Sequence, residues 1–167
     1  DSMFFSTQFR HVCAVDGSDI AIATCMADSD EQGISNIDFI NAQIDDPDLS
    51  NKIENRLSEI CDDAPIYIYS RFFLHSINEQ DEDHLVQLIG KLMENRRGKV
   101  FMEFRTKEDE RLSKYTGTHY RRYVDSKNLI KKFSRLGYEV NYHVEGIGFA
   151  KYKIDDAHVA RLVFGRL

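Results

Sequence analysis

The sequence predicts an α/β protein with a doubly wound, mostly parallel sheet, helices on both faces and an antiparallel last strand. Two observations support this fold class. Short apolar runs alternate with segments whose apolar residues recur at helical spacing, and strands that alternate with helices form parallel β-α-β units. The last two predicted strands have no long helix between them, which indicates an antiparallel pair at one edge of the sheet.

The first half of the chain holds two predicted strands, each followed by a helix. A short amphipathic stretch at 4–9 is interpreted as the end of an earlier helix. The first strand ends at the turn Asp16-Gly17-Ser18, where Ser18 or Asp19 caps the helix that follows. In chain order, the predicted strands and helices lie at 11–15, 20–30, 36–44 and 49–60.

The second half contains four predicted strands and two helices. Acidic residues at 79–83 favour the start of a helix, and Gly98 favours its end. A polar and aromatic stretch at 106–124 has no clean period and is interpreted as a loop or lid beside the substrate. The motif at 146–152 predicts a hairpin or bulge rather than a phosphate loop. The strands lie at 66–69, 100–104, 139–144 and 159–164, and the helices at 85–93 and 125–136.

Composition restricts the class of protein. The chain has 167 residues, of which 42% are hydrophobic and 30% charged, and this suits one domain with a sizeable core. The net charge of −6, the short apolar runs and the lack of a signal-peptide pattern predict a cytoplasmic protein that binds neither nucleic acid nor a membrane. Cys13, Cys25 and Cys61 lack metal-ligand spacing, so we expect reduced thiols and no metal.

Polar side chains stand at the carboxyl ends of four predicted strands. They are Asp16, Gln43, Ser70 and Arg105. Ligands of open α/β sheets bind outside these ends. A carboxylate such as Asp16 offers two acceptor oxygens to a vicinal diol, although Asp-Gly is also common in plain turns. The sequence therefore predicts a ligand site along this edge of the sheet.

A cationic and aromatic stretch follows the strand at 100–104. Residues 111–124 include four lysines and arginines, three tyrosines and one histidine, and no acid. Arginine binds phosphate or carboxylate in a bidentate manner, so we expect an anionic substrate or substrate group. The alternative is a solvated loop whose charges offset the acids at 108–110. The candidate substrate-binding residues are Arg105, Tyr115, Tyr120, Arg121 and Arg122.

The order of these elements resembles that of the class I S-adenosylmethionine-dependent methyltransferases, whose doubly wound sheet has seven strands. The segment 67–77 is similar to the strand and loop that border the methyl group in many small-molecule members, with Ser76 where a second histidine is common. The resemblance covers residues 1–167 as a single domain. Because residues 1–5 are similar to the segment after the family's glycine-rich turn, it implies that this turn and the first strand precede the chain.

The resemblance implies S-adenosylmethionine as cofactor and assigns roles to several residues. Asp16 corresponds to the acid that binds both ribose hydroxyls. Gln43 stands where the family has an adenine-binding acid, and Asp45 is the alternative. Ser70 and Arg71 correspond to residues near the methionine moiety. The implied cofactor-binding residues are Asp16, Gly17, Ser18, Gln43, Ile44, Ser70 and Arg71.

These inferences predict methyl transfer to a small anionic acceptor, such as a sugar or a phosphorylated or carboxylated metabolite. His75 and His119 are the candidate bases, although a lone histidine is often structural and an anionic oxygen needs no base. The segments at 70–75 and 120–123 and the tail are also similar to bacterial methyltransferases that accompany cell-surface polysaccharide synthesis. Two alternatives stay open: another nucleotide-binding α/β enzyme, and a non-catalytic binding or scaffold protein of the same fold.

Overall fold

A computed structural model of the chain describes residues 1–58, 64–112 and 120–166. The chain divides into two compact units, Asp1–Ala64 and Pro65–Leu167. Both units confirm the predicted alternation of strands and helices. Three residues named above, Cys61, Tyr115 and His119, lie outside the described residues. No helix in the described ranges is both long and apolar enough to cross a membrane.

The first unit is built on a two-stranded parallel sheet. Strand β1 (Val12–Asp16) pairs with strand β2 (Ile37–Asn41), and the pairing sets Asp16 beside Asn41. Its helices are α1 (Ser2–Ser6), α2 (Asp19–Glu31) and α3 (Leu49–Ser58). Parallel pairing brings the carboxyl ends of both strands to the same edge of the sheet.

Strand β2 is shorter than the predicted 36–44. The Ala42 amide still donates to the Asp16 carbonyl at 3.1 Å, but the Asp46 amide then donates to the Gln43 carbonyl at 3.1 Å and closes a turn. The turn ends the extended backbone three residues before the predicted limit. Gln43 and Ile44 therefore belong to the loop after β2 and not to the strand.

The second unit is built on a four-stranded mixed sheet with the order β3–β4–β8–β5. Strand β3 is parallel to β4, and β8 is antiparallel to both β4 and β5. These strands span Ile66–Arg71 (β3), Gly98–Arg105 (β4), Tyr138–Gly146 (β5) and Val159–Arg166 (β8). The antiparallel last strand is confirmed, and so is the predicted antiparallel pair at one edge, in which β5 is the outer strand. Strand β8 lies between β4 and β5, and its residues Val159, Leu162 and Phe164 are all buried.

Both helices of the second unit, α4 (Glu79–Leu92) and α5 (Ser126–Arg135), cover one face of this sheet. The Phe133 ring of α5 stacks on the Phe164 ring of β8 at 4.2 Å, and Lys132 of α5 donates to Glu82 of α4 at 2.7 Å. On the opposite face, side chains such as Tyr69 are exposed. Helices on both faces of the whole sheet stay a prediction.

Two loops of the second unit are more ordered than their sequences indicate. Between β5 and β8, strands β6 (Lys151–Tyr152) and β7 (Asp155–Asp156) form a small antiparallel hairpin, which confirms the predicted hairpin. The stretch at 106–124 begins with a short 3₁₀ helix, Lys107–Arg111. Thr106, which pairs with Val124, is fully buried, so the start and end of this stretch are packed against the unit.

Candidate functional site

In the first unit, the ends of β1 and β2 bring together four of the predicted cofactor residues. Asp16 Oδ1 accepts from the Ser18 amide at 2.8 Å, and Ser18 Oγ accepts from the Ala21 amide at 3.2 Å, which starts α2. Ser18, rather than Asp19, is thus the helix cap. Gln43 Nε2 donates to the Gly17 carbonyl at 3.1 Å. The turn after β1 and the loop after β2 therefore form one hydrogen-bonded edge.

The end of the Gln43 side chain lies close to Gly17. A Cβ at position 17 would lie 2.5 Å from Gln43 Oε1, which is well inside the van der Waals distance. Gln43 itself is exposed, and Ile44 beside it is half-buried. A side chain at position 17 would therefore displace the exposed amide of Gln43 from its present position.

Asp16 has acceptor capacity left for a ligand. The side chain is exposed, and within the described ranges no residue binds its second carboxylate oxygen. Asp16 also borders a cavity of about 90 Å³ beside β1 and α2. Its lining residues are Ser2, Ala14, Val15, Asp16, Ala21, Ile22, Cys25 and Phe39. The cavity has room for only a few atoms of a ligand, so most of a bound molecule would lie on the exposed edge.

Cys13 lies inside β1, behind this edge. Burial raises the pKa of its thiol from the ordinary 9.0 to about 11, the Asp38 carboxylate adds to the rise, and Arg56 opposes it. The thiolate is therefore scarce at neutral pH, and the thiol is a poor nucleophile. Cys13 and Cys25 are both free thiols, as predicted.

In the second unit, the ends of β3 and β4 border a cavity of about 350 Å³, which we name the rim cavity. Its lining residues are Arg71, Phe72, Arg105, Phe149, Ala150, Lys151, Tyr152 and Asp155. Arg71 and Arg105, predicted to bind cofactor and substrate respectively, share this cavity. Sequence reasoning missed the contribution of the β6–β7 hairpin. The signal was the run of aromatic and basic residues from Phe149 to Tyr152.

Glu103 holds two arginines at this cavity. It is only 8% exposed, and it accepts from Arg71 Nε at 3.1 Å and from Arg161 Nε at 2.5 Å. Arg161 Nη2 also donates to the Phe149 carbonyl at 2.6 Å. One carboxylate therefore fixes a cationic side chain of the cavity and, through Arg161, one of its aromatic walls.

Arg105 is held by two buried carboxylates. Its Nη1 donates to Asp109 Oδ2 at 2.8 Å, and its Nη2 donates to Asp155 Oδ2 at 3.2 Å. Burial lowers the pKa of Arg105, but these hydrogen bonds and charges outweigh it, and the net shift is upward. Asp109 Oδ1 also accepts from the His158 amide at 2.8 Å. Arg105 is thus a permanently charged wall of the cavity, and Asp109 and Asp155 already neutralise its charge.

Ser70 lies near the end of β3, and His75 lies in the loop that follows this strand. The Ser70 hydroxyl is buried at the end of β3, and no hydrogen-bond partner for it is found among residues 64–112 and 120–166. Such an orphaned hydroxyl fits the predicted contact with a ligand. The His75 ring packs edge-on against the Phe72 ring at 5.5 Å. The role of His75 as a base stays a prediction.

Arg122 has a structural role that the sequence did not indicate. Its Nη2 donates to Glu82 Oε2 at 2.5 Å and to the Leu74 carbonyl at 3.1 Å, and its Nε donates to the Ile77 carbonyl at 2.9 Å. These bonds tie the chain at 122 to the loop after β3. Tyr120 is exposed, and the binding of an anion by residues of this stretch stays a prediction.

Three side chains stand close enough to share a cation: ligand atoms of Glu108, Glu145 and His158 lie within 4.8 Å of one another. Hydrogen bonds already engage this group. His158 Nδ1 lies 2.6 Å from the Thr106 hydroxyl, and Glu145 Oε2 accepts from the Ser126 hydroxyl at 2.8 Å. The expectation that the protein binds no metal stays a prediction.

No protein-family model matches the sequence, and no curated protein matches it either. Solved structures do match. A methyltransferase dependent on S-adenosylmethionine, from Methanosarcina mazei, superposes with a TM-score of 0.69 at 10% identity, over 99% of this chain and 86% of that one. Magnesium protoporphyrin IX methyltransferase from Synechocystis, solved with bound SAH, gives 0.67 at 10% identity, over 99% and 68%.

The cyclase SpnF is also similar, with a TM-score of 0.61 at 14% identity, over 93% of this chain and 66% of that one. These comparisons show the fold: the chain has the architecture of the class I S-adenosylmethionine-dependent methyltransferases. Because one neighbour is named as a cyclase, the fold alone does not define the reaction.

Proposed function

We propose that the protein transfers a methyl group from S-adenosylmethionine to a small anionic acceptor. The observation that carries the proposal is the hydrogen-bonded edge of Asp16, Gly17, Ser18 and Gln43 in a chain with a methyltransferase fold. The resemblance gives these positions to the ribose and adenine of the cofactor. When bound, the cofactor supplies a methyl group on a positively charged sulfur.

The residues of the chain bind and align. Asp16 accepts from the ribose hydroxyls with the carboxylate oxygen that Ser18 leaves open. Gln43 keeps its amide nitrogen on the Gly17 carbonyl, so its own carbonyl is the group that accepts from the adenine amino group. The resemblance assigns Ser70, whose buried hydroxyl has no hydrogen-bond partner among the described residues, to the methionine moiety. Because the displacement is in line, alignment of the acceptor is the main task of the protein.

The acceptor is proposed to be anionic because cations line the rim cavity and the stretch that follows β4. Arg105, Tyr115, Tyr120 and Arg121 remain its proposed binding residues, with Arg122 positioning the loop. An anionic oxygen attacks without a base, whereas a hydroxyl acceptor would pass its proton to His75 or His119. A sugar or a phosphorylated or carboxylated metabolite of a bacterial cytoplasm fits this chemistry.

Calorimetry of the full-length protein with S-adenosylmethionine tests the proposal. Asp16→Asn keeps the acceptor for the Ser18 amide but loses the charge, so we expect affinity to fall about tenfold or more. Asp28→Asn is the matched control, since Asp28 is an exposed acid on α2, and it should leave affinity unchanged. Absence of binding, or equal affinity of both variants, would refute the cofactor site. Binding with no transfer to any anionic metabolite would favour the non-catalytic alternative.

A further inference from the structure

The rim cavity combines aromatic walls with cations. Its volume of about 350 Å³ lies near the lower end of the range of ligand pockets, roughly 300–1,000 Å³, and suits a metabolite with a single ring. Three of its lining side chains are aromatic, three are cationic and one is anionic. This combination selects for two features in one ligand, an apolar ring and a negative charge.

Two of the three aromatic walls, Phe72 and Phe149, are held in place by contacts within the protein. Phe72 has a φ of 53°, in the left-handed region that is strained for a bulky residue. Its amide donates to the Glu103 carbonyl at 2.8 Å, which secures the turn that directs Phe72 to the cavity. The guanidinium of Arg161 lies 5.4 Å from the centroid of the Phe149 ring, and that of Arg71 lies 5.1 Å from the centroid of the Phe72 ring. Walls ordered in advance reduce the entropic cost of binding a ring.

The cationic side chains of the cavity differ in how far carboxylates already neutralise their charge. Arg105 already binds two carboxylates, and Arg71 shares Glu103 with Arg161. Lys151 is exposed on β6, and no ion pair of Lys151 occurs within the described ranges. Attraction for an additional anion therefore comes mainly from Lys151, with Arg71 as the second cation.

We propose that the rim cavity binds the methyl acceptor and that this acceptor is an aromatic carboxylic acid. The ring packs among Phe72, Phe149 and Tyr152, and the carboxylate lies towards Lys151. A ring is favoured over a sugar because a sugar needs neutral partners for several hydroxyls, whereas the polar groups here are charged and largely bonded to each other. The proposal rests on the proposed function for the methyl transfer, but the binding of the acid is tested independently.

Calorimetry of the full-length protein uses 4-hydroxybenzoate as probe, with 4-hydroxybenzamide and glucuronate as comparisons. The amide keeps the ring and loses the charge, and glucuronate keeps the charge and loses the aromatic ring. We expect 4-hydroxybenzoate to bind about tenfold more tightly than either compound. Equal affinity for the benzoate and the amide, tighter binding of glucuronate, or no binding of the benzoate would overturn the assignment.

Two variants locate the bound acid. Lys151→Gln should lower the affinity for 4-hydroxybenzoate about fivefold and leave the affinity for 4-hydroxybenzamide unchanged. Lys127→Gln on α5 is the control for the change in net charge. Tyr152→Ala should lower the affinity for both aromatic compounds. Ile154→Ala should change neither affinity, because Ile154 belongs to the same hairpin but does not line the cavity. An unchanged affinity in Lys151→Gln and Tyr152→Ala would place the acid elsewhere and overturn the proposal.

The cofactor provides the control that separates this inference from the proposed function. If S-adenosylhomocysteine displaces the benzoate competitively, the rim cavity belongs to the cofactor and the inference fails. If S-adenosylmethionine binds but no aromatic acid does, the inference fails alone. If the acid binds as expected and S-adenosylmethionine does not, the cavity assignment stands and the proposed methyl transfer fails.

Discussion

Carboxylates have opposite roles in the two units. In the first unit, Asp16 is exposed at the end of β1 and uses one oxygen for the Ser18 amide. In the second unit, Glu82 and Glu103 are 3% and 8% exposed, and each is bound by two cationic side chains. A buried carboxylate must be paired to be tolerated, whereas an exposed one keeps its capacity for a ligand. The difference separates candidate ligand residues from structural ones.

The strongest test of this comparison removes the charge of Glu82. Glu82→Gln leaves Arg122 and Lys132 without their common partner, and we expect a loss of about 3 kcal/mol in the free energy of unfolding. Asp83→Asn is the control, because Asp83 also contacts Lys132 but is 51% exposed, and it should cost less than about 1 kcal/mol. Urea unfolding measures both. Equal losses would mean that burial does not govern these ion pairs.

The second test concerns the buried thiol of the first unit. The folded state raises the pKa of Cys13 from 9.0 to about 11, so the protonated thiol favours folding below pH 9 and this contribution is lost as the pH rises through 11. The expected loss is about 2 kcal/mol. Unfolding free energies at pH 8 and pH 11 measure it, and Cys13→Ala should reduce the difference between them. If Cys13→Ala shows the same difference as the wild type, the Cys13 thiol is not the cause.

Helix caps should contribute equally in the two units. Ser18 caps α2 and Asn78 caps α4, each by accepting a backbone amide at the third position. Ser18→Ala and Asn78→Ala should each lower the unfolding free energy by about 1 kcal/mol. Ser18→Ala keeps the backbone amide that binds Asp16, so the affinity of this variant for S-adenosylmethionine isolates any contribution of the Ser18 hydroxyl to cofactor binding. A large loss of affinity would show that the Ser18 hydroxyl contacts the cofactor.

The smallest effect on stability is expected at Asp16 itself. Asp16→Asn keeps an oxygen for the Ser18 amide and changes an exposed side chain, so thermal unfolding should shift by less than about 0.5 kcal/mol in free energy. A loss comparable to that of Glu82→Gln would identify Asp16 as a structural residue. Taken with calorimetry of the cofactor, the variant thus separates binding from folding.

Much of the fold could be predicted from local sequence patterns. Apolar runs and helical spacing predicted the strands and helices, and the turn at Asp16-Gly17-Ser18 predicted the start of α2. The exposed edge of the first unit was also accessible, because Asp16 and Gln43 follow parallel neighbouring strands. The position of β8 between β4 and β5 could not be predicted from the sequence. Its pairing with both β4 and β5 depends on contacts between residues far apart in sequence.

The second unit shows where local patterns fail. The cationic and aromatic stretch at 111–124 predicted anion binding, but composition cannot distinguish an arginine that binds a ligand from one that, like Arg122, binds Glu82, 40 residues earlier. The rim cavity was missed for the same reason. Its aromatic wall at Phe149 is held by Arg161, and that arginine is held by Glu103, 58 residues away.

The sequence by itself determined the order of the elements, the cap of α2 and the set of polar residues at the strand ends, because these depend on neighbours a few residues apart. The tertiary structure alone decided which charges are compensated and where a cavity remains. Arg105 illustrates the distinction, since it meets Asp109 four residues away and Asp155 fifty residues away. Burial of both carboxylates makes that arginine a wall of the rim cavity, and only folding brings the three groups together.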